Sequence, residues 1–204
     1  MEGSSLALPT RLLDQRLARA LVRPLVGTRV HPNALTTLTL ALGVAAAACF
    51  CQGTTPLCNL GAVLFMLAVF SDHLDGELAR AAGKTSRFGY FYDFLVGGVN
   101  YTLLFAAIGI GLEPVYGTAA LVLGFAAAVC NPVIMTLRLR LDLTHGLEAT
   151  EHHDFGWFNL EDIVYLIGPI TWLAGVEYFF IVYGFGTLGY LCWTLLEYRR
   201  WSGS

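Results

Sequence analysis

The stretch SDHLDGELARAAGKTSRFGYFYDFLVGG, Ser71 to Gly98, decides how this chain is read. It sets Asp72, Asp75 and Asp93 beside two long apolar runs. Asp72 and Asp75 are three residues apart, so on a helix they share one face. With a hairpin tip at Lys84, Asp75 lies nine residues before the tip and Asp93 nine after it. That symmetry predicts the two carboxylates at similar depth on facing antiparallel helices. Asp72 lies twelve residues before the tip and position 97 thirteen after, so 97 is the natural place for a fourth acid. It is Gly97.

Outward from this stretch the composition is that of a membrane protein. The 204 residues are 56% hydrophobic and 13% charged, with a mean hydropathy of +0.62. Soluble domains carry roughly 25% charged residues. The net charge of −3 gives no case for a nucleic-acid partner. A membrane span needs ~20 apolar residues, and six candidates run over about 34–51, 57–80, 88–111, 117–137, 160–175 and 177–196. The expected fold is an all-α integral membrane protein of six transmembrane helices preceded by a short N-terminal interfacial amphipathic helix. In that leading helix Leu13, Leu17, Ala20 and Leu21 share one face, and Gln15, Arg19 and Arg23 share another.

This divides the chain into a cytoplasmic N-terminus (1–33), a six-helix transmembrane catalytic domain (34–198) and a cytoplasmic tail (199–204). Six crossings put all twelve Lys and Arg residues on one side. Basic loops mark the cytoplasmic face. Both termini and the acidic cluster are therefore expected on the cytoplasmic side of an inner membrane. The five cysteines lie in or beside apolar segments and read as small packing residues. Cys51 and Cys58 flank one short loop, where a bridge would fit.

Ionised carboxylates at membrane depth cost several kcal/mol each unless compensated. Divalent cations supply that compensation, and an all-oxygen set suits Mg2+, Mn2+ or Ca2+. Gly76 lets a phosphate or a metal approach the helix backbone. A structural salt-bridge cluster is the competing explanation. A small transporter with an acidic cation path is another, but its acids belong near mid-bilayer.

The spacing D-x-x-D-G-x-x-A-R followed by G-x-x-x-D falls on Asp72, Asp75, Gly76, Ala79, Arg80, Gly89 and Asp93. It resembles the signature of the CDP-alcohol phosphotransferase family. The sequence HPNALT from His31 resembles that family's P-N-x-x-T element, and the six spans and leading helix agree with its architecture. The resemblance implies transfer of a phosphoryl-alcohol unit from a CDP-alcohol or CDP-diacylglycerol donor to a lipid or polar alcohol acceptor, with release of CMP, in phospholipid synthesis. It implies Mg2+ or Mn2+ held by Asp72, Asp75 and Asp93. Gly76, Ala79, Arg80 and Gly89 would shape the cytidine-diphosphate pocket, with Asn33 and Thr36 lining it. A homodimer is implied as well.

The family signature ends in a further Asp, the acceptor's general base, where this chain has Gly97. Three explanations stay open. The acceptor needs little base help, the base comes from elsewhere, or the protein binds CDP compounds without turning them over. Replacement bases are His152 and His153, in the polar stretch before the fifth span, and Glu161, which opens that span. A histidine serves as a base near neutral pH, although a histidine pair in a loop is also an ordinary solvated feature. Asn159 and Asp162 form a capping-box-like helix start. Asn100, one turn beyond Gly97, could donate a hydrogen bond. Arg138 and Arg140 suit either a phosphate or positive-inside anchoring.

Overall fold

The computed structural model describes residues 20–145 and 160–202. Helix α1 spans Pro32–Phe50, α2 Thr55–Ala81, α3 Arg87–Tyr116, α4 Thr118–His145, α5 Ile167–Leu173 and α6 Val176–Ser202. Short 3-10 turns cover Arg23–Leu25 and Leu160–Leu166, and no strand occurs among the described residues. The fold is all-α, with five helices long and apolar enough to cross a membrane and one shorter apolar helix. The leading amphipathic helix falls mostly on residues 1–19, outside the described residues.

Local sequence explains where the helices start. His31 caps α1, its Nδ1 accepting from the Asn33 amide at 3.2 Å, and Pro32 occupies the first turn, where its missing N–H costs nothing. Ser86 caps α3 in the same way, its hydroxyl accepting from the Gly89 amide at 3.0 Å. Four of the expected spans match α1 to α4 closely, although α3 and α4 run further than their apolar cores.

The fifth expected span differs. Its first half, Leu160–Leu166, is 3-10 and only Ile167–Leu173 is α-helical. Pro169 is the reason. It cannot bond the Tyr165 carbonyl and its ring would clash there, so the α-helix cannot begin a turn earlier. The segment still runs along about half of its neighbour. The Tyr165 hydroxyl lies 3.4 Å from His73 Nδ1, Gly168 lies against the Met66 sulfur, and Trp172 Nε1 donates to the Asn59 carbonyl at 3.5 Å. Its side chains therefore reach antiparallel along α2 from His73 to Asn59, a stretch of α2 about 21 Å long at 1.5 Å per residue.

Helix α1 packs on α2 and α3, α4 on α3 and α6, and α5 on α2 and α6. The core is built from Phe50, Phe65, Phe105, Ile108, Ile167 and Phe179. Outward-facing Val122, Phe125 and Val129 of α4, and Val182 and Phe185 of α6, are exposed. A run of exposed large apolar residues on long helices is a surface suited to lipid. The five cysteines are all free thiols, so Cys51 and Cys58 form no bridge.

The described basic residues gather at one end of the bundle. Lys84 reaches the segment before α1, Arg87 shares a cavity of about 500 Å³ with Leu143 near the end of α4, and Arg138 pairs with Glu197 of α6 at 2.6 Å. Glu113 and Glu177 lie at the other end, beside the α3–α4 and α5–α6 turns.

Candidate metal centre

Helices α2 and α3 are joined by the short turn around Lys84 and both pack on α1, without packing closely on each other. Asp72 and Asp75 project from one face of α2, and Asp93 projects from α3 to meet them. One carboxylate oxygen from each lies within 4.8 Å of the other two. Asp75 is 3% exposed, whereas Asp72 and Asp93 are half-buried. Thr36 of α1, 2% exposed, stands within hydrogen-bonding reach of Asp75.

Asp75 Oδ2 is buried without a hydrogen-bond partner. A buried carboxylate oxygen costs free energy when it accepts nothing. The Asp75 carboxylate stands beside two others. Oxygen atoms this close, in an all-oxygen set, fit a hard divalent cation, and the orphaned Oδ2 supplies an open ligand position. Arg80 does not take that role. Its Nη2 pairs with Glu77 Oε1 on its own helix at 3.0 Å, and its side chain is 63% exposed.

The other expected residues fall around this centre. The Arg80 guanidinium passes over Gly76, 3.3 Å from where a Cβ would stand. Any side chain at 76 would crowd it. Gly89 faces α1 closely, and a Cβ there would stand 3.2 Å from Asn33 Oδ1. Asn33, Thr36, Gly76, Arg80 and Gly89 are thus brought to the same end of the α1–α2–α3 group as the carboxylates. Ala79 lies in the last turn of α2.

At Gly97 the neighbour is Met135 of α4, whose methyl would stand 3.5 Å from a Cβ. That is ordinary contact, so the position has room for a small side chain. Asn100 is occupied elsewhere. Its amide donates to the Thr39 carbonyl at 3.1 Å and fills the space that Gly43 leaves open. Arg138 is likewise engaged, by Glu197 and the Tyr190 ring.

His152 and His153 lie outside the described residues, as does Asn159 of the capping pattern. Glu161 belongs to the 3-10 turn Leu160–Leu166, whose described side chains begin at Ile163. Tyr165 of that turn contacts His73, the residue after Asp72, so the turn runs beside the acidic cluster. Sequence reasoning gave His73, Tyr165 and Glu77 no part, and Lys84 only that of the hairpin tip. Glu77 was findable by its three-residue spacing from Arg80. The others depend on contacts between distant segments.

Comparison with known proteins agrees with this geometry. A family model described as CDP-alcohol phosphatidyltransferase matches residues 29–192. A protein of Thermococcus kodakarensis, described as a bifunctional IPC transferase and DIPP synthase, is 30% identical over 126 residues. That match spans 59% of this chain and 27% of the length of the relative.

Proposed function

The chain belongs to the CDP-alcohol phosphatidyltransferase family, and from that premise we propose that it is a divalent-metal-dependent transferase moving a phosphoryl-alcohol unit from a CDP-alcohol or CDP-diacylglycerol to a lipid or polar alcohol. The observation that carries the reading is the meeting of Asp72, Asp75 and Asp93 within 4.8 Å, with a buried Asp75 oxygen that nothing satisfies.

Asp72, Asp75 and Asp93 would hold one or two Mg2+ or Mn2+ ions. When bound, the metal neutralises pyrophosphate charge and stabilises the departing CMP. Asn33, Thr36, Gly76, Ala79, Arg80 and Gly89 would bind and orient the cytidine diphosphate. Gly76 gives the Arg80 guanidinium, tethered by Glu77, room to lie over the α2 backbone, where it would meet a phosphate. The acceptor hydroxyl attacks the phosphorus bearing the alcohol. The bond from that phosphorus to the bridging oxygen breaks, and CMP leaves with the bridging oxygen. The hydroxyl proton passes to a base, for which Glu161, His152 and His153 are the candidates. The basic end of the bundle, which also holds the carboxylates, is assigned to the cytoplasmic face. A soluble nucleotide and lipid tails then reach the site together. A homodimer remains the family expectation.

A second reading is favoured by Gly97 and its thioether neighbour Met135: a member that binds CDP-lipid without turnover. Purified full-length protein, assayed for CMP release from CDP-diacylglycerol across polyols, amino alcohols and lipid hydroxyls, separates the two. Release that needs both an acceptor and Mg2+ supports the transferase. Mg2+-dependent CDP binding without release supports the second reading. Neither binding nor release contradicts both.

A further inference from the structure

We propose that Lys84 is a positioning residue that holds the nucleotide-facing end of α1 against the α2–α3 turn. The inference rests on the cytidine-diphosphate reading above and adds a residue to it. Gly83, at φ +62°, closes α2. Its amide bonds the Arg80 carbonyl at 3.4 Å, and the Lys84 amide bonds the Ala79 carbonyl at 3.0 Å. This is the paired bonding of a helix end closed by a left-handed glycine. It fixes the Lys84 backbone to the turn that carries Ala79 and Arg80.

The half-buried Lys84 side chain then crosses to the segment before α1. Its Nζ donates to the Val30 carbonyl at 3.2 Å and to the Thr28 carbonyl at 3.4 Å. That segment has its own local turn, in which the Thr28 hydroxyl donates to the Leu25 carbonyl at 2.7 Å and accepts from the Val30 amide at 3.2 Å. One residue beyond Val30, His31 caps α1 and bonds the Asn33 amide. Asn33 in turn lies against Gly89 at the start of α3. One ammonium thus ties the helix carrying Asp75 and Arg80 to the segment that aims Asn33 and Thr36. Carbonyls that accept from a charged donor make stronger bonds than neutral pairs do. A hydrophobic side chain of similar length cannot replace them.

Lys84 would touch neither substrate nor metal, so its loss should weaken donor binding and spare the chemical step. The test uses full-length protein in detergent with Mg2+, measuring CDP binding by calorimetry and steady-state CMP release with CDP-diacylglycerol. Lys84→Met should raise the donor KM and the CDP dissociation constant about tenfold, the weight of one charge-assisted hydrogen bond. The kcat should stay within about twofold, Lys84→Arg should restore affinity, and Asn33→Ala should weaken binding non-additively with Lys84→Met. If Lys84→Met does not fold, Lys84→Gln replaces it, with the same expectations. Unchanged affinity, a fall confined to kcat, or additive effects with Asn33→Ala would overturn the proposal and leave the transferase reading standing. Wild-type protein that binds no CDP would remove the reading beneath it.

Discussion

Replacing Asp75 by Asn keeps the side-chain shape and removes one of three clustered charges. The three carboxylates lie within 4.8 Å of one another. Two unit charges at that distance repel by roughly 3–4 kcal/mol at an effective dielectric constant of about 20. The substitution deletes two of the three repulsive pairs. It also removes the buried oxygen that has no partner. Without metal, Asp75→Asn should therefore be no less stable than wild type. With metal the order reverses. Wild type at a hundredfold excess of Mg2+ over its dissociation constant gains about 2.7 kcal/mol. For a chain of this length that is roughly 5–10 °C in Tm. The variant should gain less than about 2 °C. Thermal unfolding in detergent, followed by tryptophan fluorescence in EDTA and in Mg2+, reads both effects. A variant that melts well below wild type in EDTA yet keeps the full Mg2+ shift would refute the reasoning, because Asp75 would then be a structural acid.

Three further outcomes are expected. Gly97→Ala sets a Cβ 3.5 Å from the Met135 methyl, an ordinary contact, and should melt within about 4 °C of wild type, whereas Gly43→Ala drives a Cβ into the Asn100 amide and should cost about 1–3 kcal/mol. Equal melting temperatures for the two variants would mean that the packing around one glycine is misread. Glu161→Gln should slow CMP release by about 10²–10⁴, the usual weight of a general base, without lowering Tm; a wild-type rate removes Glu161 as base. Glu197→Gln leaves Arg138 uncompensated between α4 and α6 and should destabilise by about 1–3 kcal/mol. Pairing it with Arg138→Gln in a double-mutant cycle should recover part of that loss, and simple additivity would show the pair to be uncoupled.

The carboxylate cluster was legible because its two determinants are local. Helical spacing aligns Asp72 with Asp75, and counting from Lys84 sets Asp93 opposite. The first four helices were legible for the same kind of reason, since each contains a long apolar run, and a cap or proline stands at the start of α1, α2 and α3. The break within the fifth span also left a signal in the sequence. Pro169 sits in the middle of the apolar run, and its effect on the Tyr165 carbonyl divides the segment into 3-10 and α portions. Other features left no periodic trace. The bond from Lys84 to Val30 links residues 54 apart, and Tyr165 reaches His73 across 92. Met135 lies behind Gly97 only because α4 packs on α3. Such contacts follow from packing and have no local pattern.

The central claim is that Asp72, Asp75 and Asp93 together grip a divalent cation against a cytidine diphosphate. Anomalous diffraction from crystals grown with Mn2+ and CDP tests it most directly. The account predicts a peak about 2.0–2.4 Å from an oxygen of each carboxylate, with diphosphate oxygens completing the coordination. Clear density for CDP with no such peak at saturating Mn2+, or a peak bound away from the three side chains, would contradict it.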